Sequence, residues 1–565
     1  MPTLEFKGKQ HIYAHHLTVP YRPLEIDTTK SLYTIHKLPP PPLEPDETCS
    51  CNPTDTDNNF IIHGDNLHAL KALLPRYANR IKCIYIDPPY NTGNEGWVYN
   101  DNVNSPLMQQ WLTENAPVDN EDLERHDKWL CMMWPRLHLL KELLADDGII
   151  FISIDDNELH HLRMLMEEVF KERNFRNVIS VRRGVKNVQA QFEYVDRLNV
   201  GSEYMLFFSK SPDMRFPHLT VDVDQDKIGS WNNHWRGTDR PTMRYELMGI
   251  TPETGQWRWE RKRSLAAIEN YERLLDECGP NPNQSEIDEW WFAQSPQKPD
   301  LLRMSTTNRP EHYVPPSDKR IVSSLWTDLI VNESSTLMRA LGIEFPNPKR
   351  TDLIKRIIDY ATDSNENAII LDSFAGSGTT AHAVLALNKE DGGNRKFILI
   401  ECEDYANTIT AERVRRVING VPDARDDALR EGLGGSFTYC TLGKPIEIES
   451  MLTGEALPSY AALAANLLYT TSGASVGVDT LEAQNDGLFH SDDKNDYYLL
   501  YKPDLEYLRS DAAILNLGRA ERIRDASRAN GRKAIVYAAG NYIGQRELTQ
   551  MGIIFCQLPD ALHER

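Results

Sequence analysis

Short apolar runs that each end at a turn recur along the chain and predict buried β-strands. Ile81–Ile86 ends at an Asp-Pro-Pro turn, and Ile149–Ile154 follows Gly148. Between them, Trp129–Leu144 has apolar residues at helical spacing, although Pro135 is expected to kink or split that helix. Buried strands that alternate with amphipathic helices are typical of a parallel α/β sheet.

The same alternation returns in a later part of the chain. Thr351–Ala361 and Tyr405–Ile418 are predicted helices, and Ala368–Asp372 and Lys396–Glu401 are predicted strands. The intervening residues are irregular in pattern, and six of the eleven tryptophans lie between positions 231 and 291. The simplest interpretation is one α/β domain interrupted by a large insertion.

This interpretation divides the chain into five segments. They are an N-terminal arm with a Pro-rich linker (1–50), the first half of the α/β domain (51–175), the insertion (176–345), the second half of the domain (346–420) and a C-terminal region (421–565). Alternating patterns within the last segment predict a small α/β module there.

Composition narrows the class of protein. The chain has 565 residues, of which 40% are hydrophobic and 26% charged, a globular balance. It has no apolar run of about 18–20 residues and no apolar N-terminal core, so neither a membrane span nor a secretory signal is expected. The eight cysteines are scattered without a CxxC pair, which argues against a disulfide framework and a structural zinc site. We expect a cytoplasmic protein.

The net charge of −21 is unevenly distributed. Residues 171–350 carry 26 basic and 25 acidic side chains, whereas the rest of the chain is acidic. Because phosphate binding needs only a locally basic surface, the total charge does not exclude a nucleic-acid partner.

A glycine-rich loop follows one of the predicted strands. Leu371–Thr380 reads LDSFAGSGTT and opens a helix, so that small residues and free N–H groups meet a ligand at the strand's carboxyl end. It lacks the pattern of a Walker phosphate loop. The next strand ends at Glu401, whose carboxylate can accept hydrogen bonds from both ribose hydroxyls. The arrangement predicts a nucleoside-bearing cofactor; the alternative is a packing turn and a solvated strand end.

A second motif, IYIDPPYNTG over Ile84–Gly93, also follows a strand. Two prolines fix the turn, which displays the Asp87 carboxylate, the Pro88 carbonyl and the Tyr90 ring together. The two oxygens could accept both hydrogens of an exocyclic amine, and the ring could stack on its base. The alternative is a proline turn with a surface aspartate.

The two motifs together resemble those of the DNA amino-methyltransferases. Their order, with DPPY before FAGSG and a long insertion between, is similar to that of the β group. His63–Pro75, Gly148–Glu158 and Gly376–Glu401 resemble the Mod subunits of type III restriction–modification systems. The resemblance implies a Rossmann-like α/β sheet in circularly permuted order, with the insertion as target-recognition domain and the C-terminal module serving dimerisation or partner docking.

The resemblance also implies roles for individual residues. The catalytic motif is Asp87, Pro88, Pro89 and Tyr90. The residues implied to bind S-adenosylmethionine are Asp65, Lys349, Asp372, Phe374, Ala375, Gly376, Ser377, Gly378, Thr379 and Glu401. The family's usual Lys-Pro is Lys-Arg at Lys349 here, and a helix cap is the alternative for Asp65.

Basic and aromatic side chains alternate in the insertion, a pattern that can hold phosphates and bases. The candidate DNA-binding residues are Arg182, Arg183, Lys186, Arg236, Arg258, Arg261, Lys262 and Arg263. The alternative is that the tryptophans form the insertion's own core and the charges a solvated face.

The expected activity is site-specific transfer of a methyl group from S-adenosylmethionine to N6 of adenine in duplex DNA, with no metal in the reaction. The resemblance implies a homodimer and a restriction subunit as partners. The alternatives are a cytosine-N4 methyltransferase, a non-catalytic DNA-binding subunit, and a methyltransferase acting on RNA or protein.

Overall fold

The computed structural model describes most of the chain. The described residues are 3–33, 59–92, 125–183, 194, 198, 200–222, 228–238, 240–294, 296–316, 319–329, 333–364, 367–446, 451, 453–454, 457–476 and 481–558. The Pro-rich linker expected within 1–50 falls mainly outside them.

The helices and strands are numbered here in chain order. The strands are β1 Leu24–Ile26, β2 Phe60–His63, β3 Ile81–Ile86, β4 Leu144–Ile154, β5 Phe175–Arg182, β6 Ser202–Ser209, β7 Thr220–Asp222, β8 Ser230–Asn233, β9 Trp235–Arg236, β10 Gln256–Trp257, β11 Leu302–Met304, β12 Pro310–Val314, β13 Lys319–Ile321, β14 Leu325–Trp326, β15 Ile369–Asp372, β16 Lys396–Glu401, β17 Thr438–Leu442, β18 Leu488–Ser491, β19 Asn495–Leu500, β20 Ile514–Leu515, β21 Lys533–Ala538, β22 Gly540–Asn541 and β23 Ile553–Gln557. The helices are α1 Lys9–Ile12, α2 His15–Thr18, α3 Asn66–Tyr77, α4 Arg125–Leu143, α5 Leu159–Phe170, α6 Arg261–Cys278, α7 Gln284–Ala293, α8 Glu333–Ala340, α9 Thr351–Ala361, α10 Thr379–Asp391, α11 Glu412–Asn419, α12 Asp427–Glu431, α13 Tyr460–Ser472, α14 Leu505–Leu508, α15 Leu517–Ala529 and α16 Gln545–Met551.

A ten-stranded sheet forms the centre of the larger unit. Its order is β1-β17-β2-β16-β15-β3-β4-β6-β5-β14. The six strands from β17 to β4 are parallel to one another, whereas β1 is antiparallel to β17 and β6 is antiparallel to both β4 and β5. The inner strands are almost wholly buried, which explains why they are continuous apolar runs.

The α/β pattern in the sequence is confirmed, with differences in detail. The predicted parallel sheet is mixed, because β5 and β6 form a hairpin that adds antiparallel strands beyond β4. Pro135 does not split its helix, since α4 continues through it from Arg125 to Leu143. The helix expected over Tyr405–Ile418 begins instead with a 3₁₀ turn and a π turn before α11.

A second compact unit comprises residues 217–323, and the rest of the chain forms the first. It is narrower than the insertion expected over 176–345, because β5, β6 and β14 belong to the central sheet. Within it, Trp257 and Trp290 are buried in two small hydrophobic clusters, whereas Trp235 is exposed. Most of its tryptophans are therefore core residues.

The C-terminal region contains the expected α/β module. Its sheet has the order β18-β19-β21-β23, and α15 and α16 contact the neighbouring strands β21 and β23. The Tyr469 hydroxyl on α13 donates to Glu142 on α4 at 2.5 Å, so the module is joined to the central domain. None of the helices in the described part of the chain combines the length and apolar character that crossing a membrane requires.

Candidate active site

The two sequence motifs lie on neighbouring parallel strands. The pairing of Ile370 with Cys83 and of Leu371 with Ile84 joins β15 to β3, so the glycine-rich loop and the Asp-Pro-Pro-Tyr turn both leave the same edge of the sheet. β16 lies on the far side of β15 and β4 on the far side of β3. The two segments therefore flank the point at which the strand order reverses, the usual ligand crevice of an open α/β sheet.

The Asp-Pro-Pro-Tyr turn is held by the helix that follows it in the chain. The indole Nε1 of Trp129 on α4 donates to the Pro89 carbonyl at 2.7 Å, and Trp129 itself is fully buried. Pro88 is buried, whereas Asp87 and Tyr90 are half-buried. The turn thus presents its carboxylate and its ring from a fixed backbone.

Four side chains meet at this turn. The Lys349 ammonium lies 3.3 Å from Asp87 Oδ1 and donates to Glu203 Oε2 at 2.9 Å and to the Tyr90 hydroxyl at 2.5 Å. It also lies 4.9 Å from the centroid of the Tyr90 ring. The structure therefore brings Lys349 to the catalytic turn rather than to the glycine-rich loop alone.

Burial and charge shift the acid–base equilibria of this cluster. Burial raises the pKa of Asp87, the Lys349 ammonium opposes that rise and the Glu203 carboxylate adds to it. For Lys349, burial lowers the pKa, but Asp87 and Glu203 outweigh it and the net pKa is raised. Burial and the two carboxylates hold the pKa of Tyr90 well above its usual value. The lysine therefore remains charged and the tyrosine neutral.

The glycine-rich loop is fixed by the aspartate that ends β15. Asp372 Oδ1 accepts from the Phe374 N–H at 3.0 Å, and Oδ2 accepts from the Thr380 hydroxyl at 2.5 Å. Burial raises the pKa of Asp372 to about 7. Both oxygens of Asp372 therefore brace the loop, in which Ala375 also donates to the Ile400 carbonyl at 3.0 Å.

Two glycines in this loop adopt left-handed backbone angles. Gly376 has φ 51° and Gly378 has φ 79°. A Cβ on Gly376 would stand 3.4 Å from the Phe345 ring, and one on Gly378 would stand 3.0 Å from the Thr410 carbonyl oxygen. Both positions need glycine for conformation, and Gly378 needs it for space as well.

Glu401 and Arg413 complete the loop's surroundings. Glu401 ends β16 and accepts from the Gly376 N–H at 2.7 Å and the Glu403 N–H at 3.0 Å. Burial raises its pKa. The buried Arg413 guanidinium donates at 2.8 Å to two hydroxyls of the loop, on Ser377 and Thr379. Burial lowers the pKa of Arg413 to about 9.

Asp65 caps a helix at the same edge of the sheet. Its Oδ1 accepts from the Leu67 N–H at 2.9 Å and the His68 N–H at 3.3 Å at the start of α3, and its Oδ2 lies 3.4 Å from Arg136. The helix-cap interpretation therefore describes its contacts. The neighbouring Asn66 Nδ2 donates to the Ser373 carbonyl at 3.0 Å and so joins α3 to the glycine-rich loop.

Sequence reasoning missed Glu203, Arg413 and Asn66. Glu203 is the second residue of β6, directly before the apolar run of that strand. Arg413 is one of three arginines on α11, the others being Arg415 and Arg416. The sequence next to Glu203 and Arg413 carries no signal of a site, because their partners are distant in the chain.

The basic candidates are distributed over both units. Arg182 ends β5, and Arg183 follows it; Lys186 lies outside the described residues. The exposed candidates in the second unit are Arg236, Arg258, Arg261, Lys262 and Arg263. The Arg263 guanidinium forms two hydrogen bonds with Asp300, at 2.7 and 3.0 Å.

Comparison with known proteins places this geometry in a family. Residues 81–412 match the model of the DNA methylase family. The chain belongs to that family. The expected resemblance to a DNA methyltransferase is therefore confirmed, as is the family's methyl donor, S-adenosylmethionine.

Individual relatives agree with the family match. The EcoPI Mod subunit of a type III restriction–modification enzyme, from Escherichia phage P1, is 28% identical over 76% of this chain and 75% of its own length. The StyLTI Mod subunit of Salmonella typhimurium is 32% identical over 60% of this chain and 52% of that protein. The type II methyltransferase M.KpnI of Klebsiella pneumoniae is 33% identical over 63% and 83%, respectively.

Proposed function

We propose that this DNA methyltransferase transfers a methyl group to N6 of adenine at a specific site in duplex DNA. The observation that carries the proposal is the adjacency of the Asp-Pro-Pro-Tyr turn and the glycine-rich loop on β3 and β15. The naming of relatives as type III Mod subunits favours the adenine target. DPPY alone also fits cytosine N4, which is the alternative.

The residues at the loop fit S-adenosylmethionine. The Glu401 carboxylate uses one hydrogen bond on each oxygen, so each oxygen retains acceptor capacity for a ribose hydroxyl. Gly376 keeps the loop free of side chains beside Phe345. We assign Glu401 to the ribose and the loop from Phe374 to Thr379 to the methionine part. When bound, S-adenosylmethionine supplies a methyl group attached to a positively charged sulfur.

The catalytic turn would orient the target amine. Asp87 and the Pro88 carbonyl accept its two hydrogens, so that the nitrogen lone pair leaves the ring plane, and Tyr90 stacks on the base. The amine nitrogen would bond to the methyl carbon as the carbon–sulfur bond breaks and leaves a neutral thioether, and the amine would then release one proton to solvent. This route needs no covalent intermediate on the protein.

Lys349 occupies the place that this interaction requires. Its ammonium lies next to Asp87 and over the Tyr90 ring, which are the partners proposed for the amine and the base. Entry of the base therefore needs Lys349 to move away from Asp87, and Glu203 offers a second carboxylate to retain it. Glu203 is thus proposed as a positioning residue.

The second unit is the proposed target-recognition region. Arg261 and Lys262 lie in the first turn of α6, which itself contains no acidic residue although Glu260 directly precedes it, and basic charge there opposes the helix dipole. A phosphate would be favoured by both the side chains and the free N–H groups of that turn. Dimerisation and association with a restriction subunit, as in the systems that the relatives' names describe, are further proposals.

The test is transfer of labelled methyl groups to duplex DNA by the wild-type chain and by Asp87→Ala. We expect the substitution to lower transfer by roughly a hundredfold or more, since it removes a contact aimed at the reacting nitrogen. Binding of S-adenosylmethionine, measured by calorimetry, should persist and serves as the control for folding.

Mass analysis of the product nucleosides separates the candidate functions. N6-methyladenine supports the proposal and N4-methylcytosine the alternative. Unchanged transfer by Asp87→Ala would remove the mechanism. Absence of both transfer and cofactor binding in the wild type would favour a non-catalytic DNA-binding subunit, and methylation of RNA or protein instead of DNA would assign a different substrate.

A further inference from the structure

Two histidines and a glutamate converge next to the catalytic turn. His126 is the second residue of α4, Glu158 directly precedes α5 and His161 lies in its first turn. His126 Nδ1 is 2.5 Å from Glu158 Oε1, and His161 Nδ1 is 2.7 Å from Glu158 Oε2. The three donor groups lie within 4.8 Å of one another. None of them takes part in the mechanism proposed above.

The burial of the cluster is uneven in a way that suits a bound ion. The Glu158 side chain is completely buried, whereas the His126 and His161 side chains are 35% and 24% exposed. Among the described residues, the only ion-pair partners of Glu158 are these two histidines. The carboxylate therefore lies at the base of the cluster, and the partly exposed imidazoles lie between it and solvent.

We propose that His126, Glu158 and His161 bind a divalent transition-metal ion, Zn²⁺ by preference. Two imidazoles and one carboxylate are a donor set that zinc uses with an additional open position. Imidazole nitrogen selects against Mg²⁺ and Ca²⁺, which prefer oxygen ligands. The ion would replace the two direct contacts to Glu158, and at usual bond lengths its ligand atoms would stand about 3.4 Å apart.

The site is coupled to the catalytic turn through Asn91, the residue after Tyr90. Asn91 is fully buried and has φ 58°, a backbone conformation that side chains rarely adopt. Its Nδ2 donates to Glu158 Oε1 at 2.5 Å and to the Arg125 carbonyl at 3.2 Å. If Glu158 Oε2 binds the ion, Oε1 can keep its bond to Asn91. The metal would thereby fix the backbone that carries Tyr90, and it takes no part in methyl transfer.

One neighbouring cation must give way. Arg125 Nε lies 3.5 Å from His126 Nε2, at the limit of a hydrogen bond. A metal on Nδ1 leaves a proton on Nε2, so this contact cannot persist. Arg125 is the first residue of α4, and we expect its guanidinium to turn away from His126 when the metal binds.

The test measures metal content directly on full-length protein without a histidine tag. The protein is stripped with a chelator, incubated with Zn²⁺, separated from free ion and analysed by mass spectrometry, and a chromophoric chelator reports affinity by competition. We expect about one zinc per chain. His126→Ala, His161→Ala and Glu158→Gln should each weaken binding by roughly a hundredfold or more. Excess Mg²⁺ should not displace the zinc.

His160→Ala is the matched control. His160 is the exposed neighbour of His161 and lies outside the cluster, so its loss should leave the zinc content unchanged. Zn²⁺ should raise the melting temperature of the wild type and of His160→Ala but not of His126→Ala, a readout that is independent of methyl transfer. A wild type that retains no zinc, or equal retention by all variants, would overturn the proposal in favour of hydrogen bonds alone.

Discussion

The charge on Asp87 depends on one neighbouring cation and one neighbouring anion. The proposed mechanism needs Asp87 ionised, because an ionised carboxylate only accepts hydrogen bonds and accepts them more strongly than the protonated acid. Lys349 lowers its pKa, whereas burial and Glu203 raise it. Activity should therefore fall as the pH falls through the pKa of Asp87, and the two neighbours should move that fall in opposite directions.

Lys349→Met removes the cation that favours the ionised form. The pKa of Asp87 then rises further, and we expect the acidic limb of the pH–rate profile to move to higher pH. Glu203→Gln removes an anion that raises the pKa of Asp87, so the acidic limb of the pH–rate profile of this variant should move to lower pH. Single-turnover methyl transfer at a series of pH values measures both shifts. A shift in the same direction for both variants would contradict the assignment.

Asp372 illustrates the cost of a buried carboxylate. Its pKa is raised from 3.8 to about 7, so the folded protein favours the protonated form. The associated stabilisation is fully present below the unfolded pKa and is lost as pH rises through the folded one. Asp372→Asn keeps both hydrogen-bonding atoms without a charge. We expect its melting temperature, relative to that of the wild type, to rise between about pH 4 and pH 7 and to level off above.

At the scale of single elements, a comparison of two glycines distinguishes the effect of backbone strain from the effect of a contact with the cofactor. Gly376 and Gly392 are both left-handed, at φ 51° and 72°, but a Cβ would meet the Phe345 ring at the first and nothing within 4 Å at the second. Ala at either position should cost about 1 kcal/mol of stability. Only Gly376→Ala should also weaken binding of S-adenosylmethionine, which calorimetry would show; equal binding by both variants would mean that the loop does not contact the cofactor.

The elements that the sequence predicted best are those with local signals. The strand Lys396–Glu401 and the helix Thr351–Ala361 have the predicted bounds, because apolar runs and helical spacing mark them directly. Pro135 does not split its helix, because a largely buried helix can tolerate the loss of one hydrogen bond. The antiparallel hairpin of β5 and β6 depends on tertiary pairing, which leaves no local mark.

The residues of the candidate site differ in the same way: some carry a local signal in the sequence and others do not. Asp87, Tyr90 and Gly376 lie in motifs whose residue types and spacing indicate their chemistry. Glu203 reaches the site because β6 pairs with β4, and a local apolar run does not reveal which distant strand it will pair with. The His126 cluster joins residues 32 positions apart, so only the local Glu158-x-x-His161 spacing was visible.

At the scale of the whole molecule, a strongly acidic protein must concentrate its DNA contacts. Arg261→Ala combined with Lys262→Ala should weaken binding of all duplex sequences alike. The slope of log affinity against log salt concentration should fall by the amount expected for the loss of about two phosphate contacts. Arg263→Ala is the matched control, because Asp300 already engages that guanidinium. Fluorescence anisotropy at several salt concentrations measures both effects. A larger loss in the control would place the interface elsewhere.

The central sheet also has a consequence for synthesis on the ribosome. The turn at Asp87 and the loop at Asp372 are neighbours in space, yet about 285 residues separate them in the chain. At ordinary translation speeds, roughly 15 to 60 s pass between the synthesis of the turn and the synthesis of the loop. Until β15 and β16 emerge, one edge of β3 lacks its final neighbour. A prematurely terminated product therefore has the whole Asp-Pro-Pro-Tyr turn but lacks the glycine-rich loop, and we expect it to be unable to methylate DNA.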